Sequence, residues 1–288
     1  MSEEVKLIGK PHDLGGGMTV TRLIPQAQKR MIGPFVFFDH MGPVDIKAGQ
    51  NIDVRPHPHI GLSTLTYLLE GRMVHRDSLG TEVTINPGDV NWMTAGRGIS
   101  HSERAHIDDK KREHRLQGLQ LWVALTDELE DVAPSFDHYD SSEIPRLETT
   151  AYRLSVVAGE AFGLKSAVRT SSPLILAAVQ AKSDGVFDVE FKEFEVGVYV
   201  VAGQVELLGQ TLLAHELLVL APEVFARIKF DTTAHFVILG GPPFGSPRFI
   251  WWNMVSGSRE KIEMAKYQWK NGTFPMVPGD SEFIPAPD

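Results

Sequence analysis

The chain has 288 residues, 42% of them hydrophobic and 23% charged, with a formal net charge of −9 and no cysteine. This length accommodates two domains with real cores, and the missing cysteine excludes disulfides, thiolate nucleophiles and thiolate-held zinc or iron–sulfur centres. The acidic balance argues against binding of a phosphate backbone, and the one basic stretch, Lys110 to Arg115, is diluted by Asp108, Asp109 and Glu113.

No apolar run is long enough to cross a bilayer, and the polar start from Met1 to Lys10 does not read as a secretory signal. The expectation is a cytoplasmic protein without membrane or nucleic-acid partners, for which a monomer is reasonable.

Taken in chain order, short β-branched and aromatic runs alternate with Gly and Pro, the pattern of an all-β protein. Strands are expected at Leu62–Leu69, Glu82–Ile85, Leu119–Leu125, Leu174–Ala178, Gly197–Ala202 and His235–Leu239. Asn86-Pro87-Gly88-Asp89 reads as a tight turn. The segment from Leu65 to Met73 can be laid over Gly197 to Val205 with Tyr67 on Tyr199 and Gly71 on Gly203. That match suggests a duplicated β-barrel. The polar, Pro-containing stretch Asp127 to Ala151 reads as a linker. Near the end, Ser258 can cap a helix with Glu260 in its first turn, one face formed by Ile262, Ala265 and Trp269, and Gly272 as its stop. The expected organisation is 1–135, 150–245 and a helical tail 246–288.

Candidate chemistry concentrates in two stretches. In Arg55-Pro56-His57-Pro58-His59 the prolines push the residues before them out of the α region, so the segment is extended. Extended residues two apart project to one side, which pairs His57 with His59. By the same rule His101 and Glu103 share a face after the glycine loop Gly96-Arg97-Gly98. Two such pairs on neighbouring strands would bring three imidazoles and a carboxylate together. That donor set suits one first-row divalent ion and would leave room for a guest. The plain alternative is four ordinary surface or core residues.

Asp39 or His40 could orient a ligand, or equally end a strand. Gln117 and Gln120 could reach a guest, or equally satisfy the strand. His12, His75, His106, His114 and His138 lie in stretches expected to be exposed, while His215 and His235 suit core or surface positions. The repeat offset places Val189 and Phe191 where His57 and His59 stand, so the second barrel is expected to be metal-free and apolar inside.

The strings Gly33-Pro34-Phe35 to Asp39-His40, Arg55 to Gly61, Gly98 to Glu103 and Gly118 to Trp122 resemble the pirins, two-barrel members of the cupin superfamily. The resemblance is specific from about Thr19 to Leu125 and looser from Ala151. It implies two cupin barrels plus a short C-terminal helix, and metal ligands at His57, His59, His101 and Glu103. The implied ion is Fe(II), with Ni, Cu, Mn, Co or Zn as alternatives. Two roles follow from the resemblance. One is a quercetinase-type dioxygenase acting on a flavonol-like substrate and O2, with Glu103 as general base and Asp39, His40, Arg97 and Gln120 around the site. The other is a non-enzymatic iron or redox sensor that binds a transcription factor or a metabolic enzyme, a reading supported by the silent second barrel and by the loop around Arg97 beside the ligands.

Overall fold

The structure, a computed structural model, describes residues 4–14, 18–50 and 52–287. It is built from two-sheet β-barrels and one α-helix. The expected strands form, with small shifts: Leu62–Glu70, Glu82–Ile85, His114–Ala124, Ile175–Ala181, Glu195–Ala202 and His235–Gly241. Alternation explains them directly. Phe225–Phe230, for example, buries every second residue, so one face enters the core and the other meets solvent.

The duplication is visible in the strand order. One four-stranded sheet runs Val54–His59, Ile99–Ala105, Met73–Asp77, Glu82–Ile85; another runs Gly185–Glu190, Phe225–Phe230, Gln204–Leu207, Gln210–Leu213. Each is the smaller sheet of one barrel. In the first, His57 pairs across to His101; in the second, Val189 pairs across to Ala226. Gly71 and Gly203 both adopt positive φ, +78° and +70°, at the matching hairpin reversals. Val189, Ala226 and Ile228 are buried in an aliphatic core with Phe187, Val198 and Ile238. The interior positions that carry imidazoles in one barrel are thus filled by apolar side chains in the other.

The chain is not divided sequentially. Thr21–His40 belongs to the compact unit formed by Ser142–Phe244, whereas the tail from Gly245 belongs to the unit of Met41–Ser141. Two elements also correct the linker expectation. Ser135–Tyr139 pairs antiparallel with Val90–Thr94, and Arg146–Glu148 pairs with the strand Tyr152–Ala161. Both are short strands with few buried side chains, so their sequences lack the apolar alternation that would have marked them.

The helix is Arg259–Lys270, with the Ser258 side chain accepting from the Lys261 amide and Ile262, Ala265 and Trp269 buried. The indole N–H of Trp269 donates to the Ile284 carbonyl at 3.0 Å, and the Ile284 amide donates to Pro56 at 2.8 Å. The tail therefore braces the strand that carries His57 and His59. A second brace depends on Gly61, at φ +66°, where an added Cβ would stand 2.0 Å from the Val255 carbonyl oxygen.

In the other unit, His40 is fully buried with its Nδ1 2.6 Å from the Tyr199 hydroxyl, and Tyr199 also lies 3.2 Å from Nδ1 of His215. Burial, reinforced by His215 and His235, lowers the His40 pKa to about 3.

Two outcomes follow. Gly61→Ala should cost about 2 kcal/mol or more, because the steric clash adds to the left-handed strain. Gly49→Ala, at φ +78° with open space around it, should cost clearly less in the same denaturant titration. His40 binds its proton far more readily unfolded than folded, so stability is complete above about pH 6.5 and falls as the pH drops towards 3. A metal-free His40→Gln variant should lack this slope. Its stability deficit relative to wild type should shrink by about 1–2 kcal/mol between pH 7 and pH 5.

Candidate metal centre

The sequence places His57 and His59 on the strand Val54–His59 and His101 and Glu103 on Ile99–Ala105. These strands are antiparallel neighbours, with His101 opposite His57 and a bulge between His101 and Glu103. The three imidazoles are buried, and a ring nitrogen from each lies within 4.8 Å of the others. Ring centroids are separated by 4.4 Å for His57 and His101, 4.9 Å for His59 and His101, and 5.0 Å for His57 and His59. Glu103 follows on the same strand, with Oε1 3.6 Å from Nδ1 of His101.

Hydrogen bonds orient the rings. Nδ1 of His57 donates to the Arg55 carbonyl at 3.0 Å, a bond the extended Arg-Pro-His backbone supports. Nδ1 of His59 donates to the Asn253 carbonyl at 2.9 Å. Each donation leaves Nε2 with its lone pair, and Nε2 of His59 lies 3.0 Å from Nε2 of His101. Trp122 meets the His59 ring edge-on, with centroids 5.1 Å apart.

Burial governs the charge states. It lowers His57 to about 4, the Arg55 bond acting in the opposite direction. It also drives His59 and His101 well below the ordinary histidine range, aided by the neighbouring imidazoles. Burial raises Glu103 to about 8. Among the described residues the Oε2 atom of Glu103 is buried without a hydrogen-bond partner. Three buried imidazoles, two of them joined at 3.0 Å through their Nε2 atoms, and a Glu103 Oε2 without a partner crowd one interior, and leaving such an oxygen without a partner is costly. A cation would balance it, and nitrogen with oxygen donors fits a first-row divalent ion.

The other candidates are placed as follows. Gln120 stands opposite Thr66, whose hydroxyl donates to Gln120 Oε1 at 2.7 Å, and it shares a strand face with Trp122. Arg97 is exposed and lines a groove of about 270 Å³ with Ile60, Gly61, Lys261 and Gln268, whose lining contains none of the three imidazoles. Asp39 and His40 fall in the other compact unit. Asp39 receives two hydrogen bonds from Arg22, at 2.9 and 2.8 Å, and His40 is bound to Tyr199. The strand Phe35–Ile46 that carries both residues belongs to the seven-stranded sheet that also holds Leu62–Glu70 and His114–Ala124.

Of the histidines expected to be exposed, His75 is buried and His106, His114 and His138 are half-buried. His138 is half-buried, with Nδ1 2.7 Å from Asn91 Oδ1. With Asp89 and Asp140 it forms a second close group, but the Asp89 oxygens already accept from the amides of Asn86 and Ser141. His75 is buried and stacks on Phe136, with centroids 4.3 Å apart, and its Nδ1 lies 3.4 Å from Nδ1 of His101. The signal was available, since His75-Arg76-Asp77 is another pair two apart on a strand. Asn253 carried no local signal, because only its backbone carbonyl is used.

Comparison with known proteins agrees with this architecture. Residues 17–123 match the Pirin family and residues 176–275 the Pirin C-terminal cupin domain. A pirin-like protein of Caulobacter vibrioides is 44% identical over 279 residues, covering 95% of this chain and 96% of the relative. The crystal structure of a quercetin 2,3-dioxygenase from Acinetobacter baumannii superposes with a TM-score of 0.93 at 35% identity, covering 99% of this chain and 95% of that one. A bacterial pirin of Escherichia coli, solved in complex with nickel(II), shares the fold at 20% identity and a TM-score of 0.66, covering 84% of this chain and all of its own. With a matched domain in each half and close relatives along nearly its whole length, this two-barrel cupin chain belongs to the pirin family.

Proposed function

We propose that the chain is a metal-dependent dioxygenase that opens the central ring of flavonols such as quercetin, with His57, His59, His101 and Glu103 holding the ion. The observation that carries this reading is the convergence of His57, His59 and His101 in one barrel interior, with Glu103 outside that close group but 3.6 Å from His101 and its Oε2 without a hydrogen-bond partner. The quercetin 2,3-dioxygenase named above supports it as a relative of nearly equal length. Fe(II) is the first choice for the ion, and nickel is the ion seen in the Escherichia coli pirin.

A divalent ion bound at these donors supplies Lewis acidity and a template for the adjacent hydroxyl and carbonyl oxygens of a flavonol. The chain's own groups do the rest. Trp122 fixes the His59 edge and gives the interior an apolar wall. The Thr66 and Gln120 pair lies further along the face that carries Trp122 and offers polar contacts to phenolic hydroxyls. Glu103 Oε2 takes the proton of the substrate hydroxyl, as general base catalysis requires of a carboxylate within hydrogen-bond reach. Quercetin and O2 are then consumed one for one, and the ring carbon lost leaves as carbon monoxide with a phenolic ester as the second product.

Two measurements test this. Elemental analysis of protein purified without added metal should find one first-row ion per chain, His101→Ala should lose it, and Glu103→Gln should bind it at least about tenfold more weakly. Full metal retention by both variants would place the ion elsewhere. Metal-loaded protein given quercetin in air should consume oxygen and release carbon monoxide, and should leave quercetin intact under nitrogen. Absence of oxygen-dependent turnover with every loaded ion would reject the dioxygenase.

A further inference from the structure

We propose that Gln120 and Asn91 form a subsite that reads oxygen substituents on the flavonol rings, so that the substrate class is flavonols hydroxylated beyond their metal-binding edge. The proposal rests on the flavonol reading above and adds the residues that select among flavonols. Four strands of the larger sheet, His114–Ala124, Leu62–Glu70, Val90–Thr94 and Ser135–Tyr139, lie side by side. Their register aligns Trp122, Thr64, Met93 and Phe136 in one row, and Gln120, Thr66, Asn91 and His138 in the next. Residues two apart on a strand share a face, so both rows look into the barrel. The first row meets the imidazoles, Trp122 at His59 and Phe136 at His75.

The second row lies about 7 Å further along the strands, towards the apolar cluster that holds Leu68, Leu116, Met73 and Ala105. On the opposite sheet Glu103 stands between His101 and Ala105, so it too falls between the imidazoles and that cluster. Gln120 sits on an inner strand yet is only half-buried, so the interior at this depth is open to solvent. The Thr66 hydroxyl donates to Oε1 of Gln120 at 2.7 Å, and Nδ1 of His138 donates to Oδ1 of Asn91 at 2.7 Å. Each carboxamide oxygen is therefore occupied by a neighbour in the row. Among the described residues neither Nε2 of Gln120 nor Nδ2 of Asn91 has a hydrogen-bond partner. An amide N–H2 only donates, so the row offers free N–H groups to oxygen acceptors. With one strand between them, the two carboxamides stand about 10 Å apart along the row. A flavonol with its chelating edge towards the imidazoles is long enough to meet both.

The second barrel supplies a comparison within the same chain. Under the repeat that lays Tyr67 on Tyr199, Thr66 corresponds to Val198. Val198 pairs with Ile238 on one side and Leu218 on the other, the positions of Gln120 and Asn91. All three are buried in the aliphatic core. The fold thus needs no polar side chain in this row, and enclosing a carboxamide whose N–H2 stays unpaired costs stability. The row is polar in the barrel that carries the imidazoles and aliphatic in the one that does not. That contrast, together with the tying of both amide oxygens, points to recognition of a guest.

The test titrates full-length protein, purified without added metal, with quercetin and with 3-hydroxyflavone under nitrogen. The second compound keeps the adjacent hydroxyl and carbonyl but has no other ring hydroxyl. Wild type should bind quercetin at least about tenfold more tightly than 3-hydroxyflavone. Asn91→Leu and Gln120→Met should each weaken quercetin about five- to tenfold and leave 3-hydroxyflavone within about twofold. His138→Leu, which frees the Asn91 carbonyl, should lose about threefold of the preference, whereas His138→Gln, which still donates to it, should keep it. Leu218 and Ile238 at the equivalent positions show that a barrel of this fold accepts aliphatic side chains there. No preference in wild type, or equal losses for both flavonols in the variants, would overturn the proposal. Quercetin selectivity without oxygen-dependent turnover would keep the subsite and remove the dioxygenase. Turnover of both flavonols with equal kcat/KM in wild type and every variant would do the reverse.

Discussion

Three imidazoles buried in a barrel cannot afford charge, so each must be neutral and each N–H must find an acceptor. For His57 and His59 both conditions are met from outside the cluster. The Arg55 and Asn253 carbonyls take the protons of His57 and His59, and His75 lies against Nδ1 of His101. The remaining nitrogens have nowhere to face but each other. That crowding of ring nitrogens, beside the unpartnered oxygen of Glu103, is an arrangement no hydrophobic core would tolerate. Other features of the first barrel serve it: the tail that braces Pro56, the strand carrying Asn253, and the Trp122 edge on His59.

The two barrels show how little separates a core from a reactive interior. The smaller sheets share one strand order, and the pair His57 and His101 corresponds to Val189 and Ala226. Apolar residues at those positions let Ile228 and Phe187 close the interior as an ordinary core. Imidazoles there prevent closure, because their nitrogens require partners. The duplication supplies a rigid frame twice, and the side chains at a few inward positions decide what each copy does.

Local patterns in the sequence reached a good part of this. Alternation within extended segments was enough to pair His57 with His59 and His101 with Glu103, and the Tyr67 and Tyr199 match located the repeat. The same alternation would have paired His75 with Asp77, but a polar flanking sequence made that strand look exposed. Asn253 could not be read, since a backbone carbonyl contributes without any side-chain signal. The polar edge strand Ser135–Tyr139 was hidden because its pairing with Val90–Thr94 relies on backbone bonds rather than on buried side chains.

The account turns on an ion held between those inward nitrogens. Anomalous diffraction from crystals of protein purified without added metal, recorded across the absorption edges of the first-row ions, addresses it directly. The prediction is one anomalous peak per chain bounded by Nε2 of His57, His59 and His101 and by a Glu103 oxygen. A cluster without anomalous signal, or a peak at Asp89, His138 and Asp140 instead, would contradict it.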